Sequence, residues 1–415
     1  MEKKLPKNWQ IKTLGEVCET TSGGTPSRGN KSYYNGTIPW VKSGELNKGI
    51  IYDTEEKITE EAIKNSSAKI FPKGTLLIAL YGATIGKLAF LGVDAATNQA
   101  VCGIYQNDSI DSKYIYNFLF HKKQDLVKQG IGGAQPNISQ TILKKLEIPL
   151  PPLETQQAIV SKIEELFSEL DKGIEDLKTA QQQLKTYRQS VLKWAFEGKL
   201  TNENLKEGNL PKGWEITAIN TVSSINPKLP NRENLDREMK VQFLPMKLVE
   251  EIVNKIHLSD IKKLHEVLKG SYTPFIDNDI IFAKVTPCME NGKIAIVEKL
   301  KNGIGFGSSE FHVIRTNEKV NNKFMFYFLV QDRFRNEAAN EMTGAVGLRR
   351  VPKQFIENYQ IPLPLTLEEQ NKIVEELESR LSVADKMEES IVQSLQQAEA
   401  LRQSILVKAF SGELV

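Results

Sequence analysis

The string GATIGKL at residues 82–88 comes closest to a catalytic motif, because glycines followed by a lysine can wrap the phosphates of a nucleotide. A phosphate-binding loop needs four residues between its glycines and a serine or threonine after the lysine. Here three residues separate Gly82 from Gly86, and Leu88 follows Lys87. We therefore interpret the string as a glycine turn between two strands. A nucleotide-hydrolysing switch stays open as a hypothesis that depends on this string alone.

Residues that could bind a metal or attack a substrate are few and scattered. Cys18, Cys102 and Cys288 lie far apart, and the four histidines include no pair four residues apart. The sequence patterns of dinucleotide-binding enzymes, serine hydrolases and zinc proteases are missing, as is the Asn-Pro-Pro-aromatic tetrapeptide of amino-methyltransferases. We expect no catalytic residue, no metal site and no cofactor in this chain.

The composition is that of a folded protein with more than one domain. The chain has 415 residues, of which 40% are hydrophobic and 26% are charged. No stretch approaches the roughly 18 consecutive apolar residues that a membrane span needs, and the N-terminal MEKKLPKNWQ lacks the apolar core of a secretory signal. We expect a cytoplasmic protein with no membrane partner.

The chain contains an internal repeat that spans about half of its length. Residues 5–17, LPKNWQIKTLGEV, recur at 210–222 as LPKGWEITAINTV. Residues 148–160, IPLPPLETQQAIV, recur at 361–374 as IPLPLTLEEQNKIV, and RQSVLKWAFEGKL at 188–200 recurs at 402–414 as RQSILVKAFSGEL. Three matches in the same order indicate two similar halves.

Each half contains a globular block, a proline-rich stop and a helical segment. Short apolar runs between turn signals predict strands, at 74–80, 85–92 and 99–105 in the first block and at 279–285, 293–300 and 311–316 in the second. Apolar residues at helical spacing predict a helix near the end of each block, over 113–130 and 322–340. We predict a first globular domain at 1–150 (head 1), a helix at 151–200, a second globular domain at 201–360 (head 2) and a helix at 361–415.

The two helical segments carry a heptad pattern. Residues 154–197 and 368–411 each run 44 residues without proline, and their seam residues recur with a period of 3.5. We expect an α+β fold with a pseudo-two-fold internal repeat, in which two similar mixed α/β domains are joined by two long antiparallel coiled-coil helices. The polar seam residues Gln181, Arg188, Glu388 and Arg402 set the register or contact a partner protein. The apolar seam residues are Ile163, Phe167, Leu170, Ile174, Leu177, Leu184, Leu377, Leu381, Ile391, Leu395 and Ile405.

Charge is distributed unevenly along the chain, although the formal net charge is only +2. The two heads carry net charges of +5 and +3, whereas the two helical segments carry −1 and −5. Such a pattern is typical of ordinary solvated surface, or of heads that bind a polyanion and helices that bind protein.

The proline-to-helix junction IPLPPLETQ and the helix end RQSVLKWAFEGKL resemble the specificity subunit of type I restriction–modification systems, and this resemblance covers essentially the whole chain. In head 1 it extends to GGTPSRGNKSYYNGTIPWVKSGEL at 23–46 and GGAQPNIS at 132–139. In head 2 it extends to QFLPMKLV at 242–249, GSSEFHVIR at 307–315 and TGAVGLRRVP at 343–352.

The resemblance implies a DNA-binding protein that is not itself an enzyme. Each head would be a target-recognition domain that reads one half of a split, asymmetric site in double-stranded DNA, and the helices would set the gap. The helical regions would dock two DNA adenine methyltransferase subunits, which bind S-adenosylmethionine, and ATP-driven restriction subunits that use Mg would then join.

The side chains expected to contact DNA lie in glycine-rich loops, where the backbone can approach phosphate and polar groups can read base edges. In head 1 they are Arg28, Lys31, Tyr33, Lys42, Ser43, Tyr81, Thr84, Lys87, Asn98, Gln99, Gln135 and Asn137. In head 2 they are Lys228, Arg232, Lys247, Lys284, Thr286, Ser308, Ser309, Arg315, Thr343, Arg349 and Arg350.

One alternative interpretation is a non-catalytic coiled-coil adaptor that binds nucleic acid without sequence specificity. It accounts for the charge pattern and the helices, but it gives no reason for two unlike heads.

Overall fold

The structure, a computed structural model, describes residues 5–47, 49–129, 137–202, 205–206, 208–345 and 347–415. The chain forms two compact units. Unit 1 contains Met1–Lys178 and Val392–Val415, and unit 2 contains Thr179–Ile391. Each unit therefore combines one head with part of each long helix. The division between the units falls within the two helices, after Lys178 and after Ile391.

Head 1 is a mixed domain of short strands and short helices. Its strands are β1 (Gln10–Thr13), β2 (Thr20–Ser22), β3 (Tyr34–Val41), β4 (Gly49–Ile51), β5 (Lys57–Ile58), β6 (Ile70–Phe71), β7 (Leu76–Ala79), β8 (Leu88–Leu91), β9 (Ala95–Thr97), β10 (Val101–Ile104) and β11 (Glu147–Leu150). Its helices are α1 (Leu14–Val17), α2 (Glu60–Lys64), α3 (Ser112–His121), α4 (Lys123–Gln129) and α5 (Gln140–Lys144), and the long helix α6 (Leu153–Phe196) follows.

Head 2 is built in the same way. Its strands are β12 (Trp214–Ala218), β13 (Ser223–Ile225), β14 (Lys240–Leu244), β15 (Asp260–Lys263), β16 (Thr273–Ile276), β17 (Ile280–Ala283), β18 (Ile294–Ile296), β19 (Ile304–Gly307), β20 (Phe311–Thr316) and β21 (Gln360–Pro364). Its helices are α7 (Ile219–Val222), α8 (Leu264–Leu268), α9 (Asn322–Val330), α10 (Asp332–Asn340) and α11 (Lys353–Asn358), and the long helix α12 (Leu367–Ser411) follows.

The sheets of the two heads share one topology, except that β4 adds a fifth strand to the first sheet of head 1. In head 1 the strand orders are β2-β10-β7-β8-β4 and β5-β3-β9-β6. In head 2 they are β13-β20-β17-β18 and β15-β14-β19-β16. In both heads the second sheet has a parallel central pair, β3 with β9 and β14 with β19. The predicted repeat therefore extends through the heads, where the sequences themselves differ.

Each head begins and ends on one pair of antiparallel strands. Strand β1 pairs with β11, and β12 pairs with β21. These strands contain the repeated segments around Trp9 and Trp214 and the two Ile-Pro-Leu-Pro stretches, so the repeat lies where each head joins its helices.

Helices α6 and α12 match the proline-free segments 154–197 and 368–411 to within one residue at each end, and both are shorter than the helical regions predicted at 151–200 and 361–415. Every predicted apolar seam residue is buried or half-buried, from Ile163 to Leu184 and from Leu377 to Ile405. The heptad assignment, and with it the expected fold class, is confirmed.

Within each unit the two helix halves pack antiparallel. In unit 2, Arg188 of α6 donates to Asp385 and Glu388 of α12 at 2.6 and 2.9 Å, while Thr201, beyond the end of α6, reaches back to Glu369 near the start of α12. In unit 1, Arg402 of α12 pairs with Asp171 of α6. Arg188 and Arg402 occupy the same repeat position, as do Asp171 and Asp385, so each unit contains the same interhelical ion pair.

Both long helices end on a glycine with left-handed backbone, Gly198 at φ +74° and Gly412 at φ +76°. A Cβ on Gly198 would meet Pro211 at 2.1 Å, and one on Gly412 would meet Pro6 at 2.4 Å. The repeated Leu-Pro-Lys segments therefore close the helix ends, which is a structural reason for their recurrence.

Two local features refine the sequence predictions. Each predicted helix near the end of a head is broken into two, α3 and α4 in head 1 and α9 and α10 in head 2. GATIGKL forms the turn between the antiparallel strands β7 and β8, with Gly82 and Gly86 at positive φ. The interpretation of this string as a glycine turn is confirmed.

Candidate nucleic-acid interface

One edge of each head carries three neighbouring loops with the same backbone connections. In head 1 the amide of Leu80 donates to the carbonyl of Ala100, and the amide of Ile138 donates to the carbonyl of Leu80, both at 2.8 Å. In head 2 the amide of Lys284 donates to Glu310 at 2.9 Å, and the amide of Val351 donates to Lys284 at 2.8 Å. We call these edges loop cluster 1 (residues 80–87, 98–100 and 137–139) and loop cluster 2 (residues 284–293, 308–310, 343–345 and 347–351).

Loop cluster 1 brings together half of the DNA-contacting residues predicted for head 1. They are Tyr81, Thr84, Lys87, Asn98, Gln99 and Asn137. Tyr81 is 43% exposed and bridges Asn137 through the backbone. The Gln99 carboxamide accepts a hydrogen bond from the Thr25 hydroxyl, so the loop that follows β2 also reaches this edge.

Loop cluster 2 brings together seven predicted residues, namely Lys284, Thr286, Ser308, Ser309, Thr343, Arg349 and Arg350. Arg350 Nε and Nη2 donate to the two carboxylate oxygens of Glu310 at 2.8 and 2.7 Å. These bonds hold the pKa of Glu310 below its usual range. The side chain of Arg350 is 40% exposed, so a charged fork in a fixed orientation lies at the surface.

The other arginine of this edge is held more loosely. Arg349 is exposed, and its closest approach to a carboxylate is 4.0 Å, between Nη2 and Glu290 Oε1. Among the described residues, the buried Glu290 Oε2 has no hydrogen-bond partner. Arg349 therefore keeps its donors available for a phosphate or a base.

The remaining head 1 candidates lie away from loop cluster 1, on and around β3. Arg28 donates to Glu56 through both terminal nitrogens, at 2.6 and 3.3 Å, and its guanidinium lies 4.7 Å from the Tyr34 ring centroid. Lys42 pairs with Glu55 and Glu56 at 2.8 and 3.2 Å. Lys31 and Tyr33 form a 3₁₀ turn before β3, and Ser43 begins another after it. Gln135 lies outside the described residues.

In head 2, four predicted residues lie outside loop cluster 2. Lys228 and Arg232 line a cleft of about 760 Å³ that also contains Tyr272. Lys247 is exposed on a 3₁₀ turn after β14. Arg315 forms two 2.7 Å hydrogen bonds with Asp279, which is 1% exposed. The Nε–Nη2 edge of Arg315 neutralises this buried carboxylate, so Arg315 has a structural role in head 2.

The sequence interpretation missed the carboxylates that orient these arginines. Glu310 lies 40 residues from Arg350, and Asp279 lies 36 residues from Arg315. Because their positions depend on strand pairing, spacing in the sequence gives no signal for them.

Next to Glu310, the buried His312 links two parts of head 2. Its Nε2 lies 2.9 Å from the Val351 carbonyl, and its Nδ1 lies 3.0 Å from the Asn226 side-chain nitrogen. A carbonyl can only accept, so Nε2 carries the hydrogen and Nδ1 accepts from the Asn226 amide. This arrangement requires the neutral ring, and burial lowers the pKa of His312 below its usual range.

We expect the free energy of unfolding of head 2 to fall as the pH decreases below about 6.5, the ordinary histidine value. The unfolded chain then takes up a proton that folded head 2 accepts only at lower pH, so the loss is on the order of 1 kcal/mol per pH unit between the two pKa values. Urea unfolding at several pH values measures it, and His312→Asn should flatten the slope, whereas His257→Asn at an exposed site should not. An unchanged slope in His312→Asn would contradict this assignment.

Neither a metal-binding cluster nor a membrane-spanning helix occurs in the described part of the chain. No group of three or more histidine, cysteine, aspartate or glutamate side chains there is placed to hold a metal ion. No helix within those residues has the length and apolar character needed to cross a membrane.

A family model for the type I restriction modification DNA specificity domain matches the chain twice, over residues 6–179 and 211–397. The MjaIX specificity subunit of Methanocaldococcus jannaschii is 31% identical over 312 residues, which cover 71% of this chain and 70% of that protein. The EcoAI specificity subunit of Escherichia coli is 38% identical over 206 residues. That match covers 49% of this chain but only 34% of the relative, so the chain spans about a third of that protein.

Two solved structures share the fold over almost the whole chain. One, from work on complex assembly and conformational transition of the type I restriction–modification system, has a TM-score of 0.75, 19% identity and 99% coverage of both chains. The other, an HsdS subunit from Thermoanaerobacter tengcongensis, has a TM-score of 0.60 and 21% identity, with 99% of this chain and 98% of that chain covered.

Proposed function

The chain belongs to the family of type I restriction–modification DNA specificity subunits, and we propose that it reads a bipartite, asymmetric site in double-stranded DNA, one half with each head. In this role it is a recognition component without catalytic activity of its own. A protein that binds DNA in this role would act in the cytoplasm.

One observation carries the proposal: the same loop edge occurs twice with different side chains. Loop cluster 1 has Ala100 and Asn137 where loop cluster 2 has Glu310 and Arg350. A scaffold that is kept while its loop chemistry changes is suited to two different half-sites, because polar side chains in the grooves distinguish bases. A sequence-independent adaptor would give no reason for this difference.

The long helices are suited to protein partners. Their exposed surfaces carry large apolar side chains, among them Tyr187, Trp194, Val383, Met387 and Leu401. Tyr187 and Leu401 occupy the same repeat position, so each half of the chain offers a similar apolar contact. We assign these surfaces to two DNA adenine methyltransferase subunits, which would supply S-adenosylmethionine, and to restriction subunits that would use ATP and Mg.

We expect the chain, together with its methyltransferase, to bind one bipartite duplex at least ~10³-fold more tightly than random DNA. Phosphate contacts give affinity on any sequence, whereas base contacts add affinity on one sequence only. Methylome sequencing of a host that expresses the complex would identify the site, and competition binding at fixed salt would measure the ratio.

Equal affinity for both duplexes, with a steep dependence on salt, would refute the proposal and favour the adaptor. As a control, the duplex with its two half-sites moved one base pair further apart should bind less tightly if the spacing is fixed by the protein.

A further inference from the structure

One position in the two loop clusters is occupied by different base-reading side chains. In head 1, Asn137 comes directly before Ile138, whose amide donates to the carbonyl of Leu80 after β7. In head 2, Arg350 comes directly before Val351, whose amide donates to the carbonyl of Lys284 after β17. Isolated bridges repeat the match, Tyr81 with Asn137 and Val285 with Arg350. The two side chains therefore lie at equivalent places on equivalent backbones.

Glu310 leaves one edge of the Arg350 guanidinium open. It binds the edge formed by Nε and one Nη2 hydrogen. The other edge carries the second Nη2 hydrogen and Nη1, and Nη1 makes only a 3.5 Å contact with the Leu348 carbonyl. Two parallel donors remain side by side on a fork whose orientation is fixed.

Guanine presents O6 and N7 as adjacent acceptors in the major groove, and a forked pair of arginine donors matches them. We propose that Arg350 is a specificity-determining residue that reads a guanine in the half-site of head 2, and that Glu310 is the residue that positions it. This inference rests on the proposed function.

The equivalent position of head 1 has the chemistry for a different base. Asn137 is exposed, and the residue in the place of Glu310 is Ala100, which has no charge to orient an arginine. A carboxamide matches N6 and N7 of adenine. Asn137 therefore reads an adenine in the other half-site.

Two other arginines fit the guanine role less well. Arg28 lies away from loop cluster 1, donates to Glu56 through Nη1 and Nη2, and packs its guanidinium against the Tyr34 ring. Arg349 lies 4.0 Å from its closest carboxylate, which leaves its orientation unfixed. Arg349 is better suited to a phosphate, which binds from many directions.

The test maps methylated sites in hosts that express the methyltransferase with the wild-type chain, Arg350→Ala, Arg350→Lys or Glu310→Gln. The Arg350 variants should lose the preference for one guanine in one half-site by about 5- to 150-fold and keep every other position. Glu310→Gln should relax the same guanine by less. Asn137→Ala should relax one adenine in the opposite half-site, and Arg333→Ala, which removes an exposed arginine paired with Glu337, should change nothing.

An unchanged motif in Arg350→Ala and Arg350→Lys would overturn the inference, as would an equal loss at all positions, which would indicate a phosphate contact. If wild type itself methylates no bipartite motif, the proposed function fails instead. If the variants methylate DNA too weakly to map, a binding experiment tests the proposal instead. Purified complexes are bound to a series of duplexes in which 7-deazaguanine replaces one guanine at a time. The wild-type complex should bind less tightly when one particular guanine is replaced, whereas Arg350→Ala should bind that duplex and the unmodified duplex equally well. If Arg350→Ala shows the same loss of affinity as wild type, the role of Arg350 is refuted.

Discussion

A chain in which residues 14–146 are replaced by a second copy of 219–359 is expected to recognise a palindrome made of the head 2 half-site and its inverted repeat. The half-site of head 1 should disappear completely. Both exchange points lie where β1 pairs with β11 and β12 pairs with β21, so the inserted head enters and leaves on neighbouring strands.

The helices should accept the exchanged head because they offer both heads nearly the same apolar surface. Head 1 packs on Ile159, Val160, Ile163, Ile405, Leu406, Ala409 and Phe410. Head 2 packs on their repeat equivalents Ile373, Val374, Leu377, Val191, Leu192, Ala195 and Phe196. The two sets differ at two positions only: Leu377 stands in place of Ile163, and Val191 stands in place of Ile405.

Polar and aromatic contacts between heads and helices are repeated as well. Lys113 pairs with Glu164 at 2.7 Å in unit 1, and Lys323 pairs with Glu378 at 2.7 Å in unit 2. Phe410 meets two aromatic rings of α3 at 5.3 Å, and Phe196 meets two of α9 at 5.0 and 5.2 Å. The exchanged head therefore meets helix side chains equivalent to those that it contacts in its original position.

Methylome sequencing with the methyltransferase present measures the outcome. The reciprocal chain, with 219–359 replaced by 14–146, is the matched control and should give a palindrome of the other half-site. Persistence of the original asymmetric site in either chimera would show that the heads do not read independently.

The sequence predicted the parts of this fold that depend on local pattern. The period of 3.5 from Ile163 to Leu184 located the helix seam, since each turn of a helix carries its own burial signal. The strands at 74–80 and 279–285 were located because short apolar runs end at turn residues. These features need no knowledge of which strands pair.

The details of the candidate interface depend on pairing between distant segments and could not be predicted. Loop cluster 2 forms because the backbone of Lys284, directly after β17, bonds to both Glu310 and Val351. These two partners lie 41 residues apart in the chain. Arg350 and Arg315 pair with carboxylates through the same Nε–Nη2 edge, and strand pairing alone separates them. Arg350 lies in loop cluster 2 with its side chain 40% exposed, whereas Arg315 lies on β20 and is 25% exposed. In the sequence the two arginines look alike.

A fragment of residues 1–205 is expected to form a homodimer that carries two copies of head 1. Unit 1 contains head 1, the first part of α6 and the last part of α12. The last part of α12, RQSILVKAF, is repeated by the last part of α6, RQSVLKWAF. In a homodimer, the end of α6 from each copy can therefore take the place of α12 in the other copy.

The substituted contacts are close to those of the intact chain. Arg188 would replace Arg402, which pairs with Asp171 and lies 4.6 Å from the Phe167 ring centroid. Val191 would replace Ile405, at a cost of about 0.5–1.5 kcal/mol for one lost methylene per copy. Gln181 would replace Leu395 in the seam, and a polar residue there reduces stability further. The homodimer should therefore form but dissociate more readily than the intact chain unfolds.

Sedimentation velocity should show a dimer at tens of micromolar, and with the methyltransferase the fragment should direct methylation to a palindrome of the head 1 half-site, because site symmetry follows protein symmetry. Asp171→Arg is the matched control: it would place an arginine opposite Arg188 of the second copy and should shift the fragment to monomer. The double variant Asp171→Arg, Arg188→Asp restores opposite charges and should restore the dimer. A wild-type fragment that stays monomeric and methylates no palindrome would refute the equivalence of the two helix pairs, since the dimer would repeat the helix pairing of unit 1 with only these substitutions.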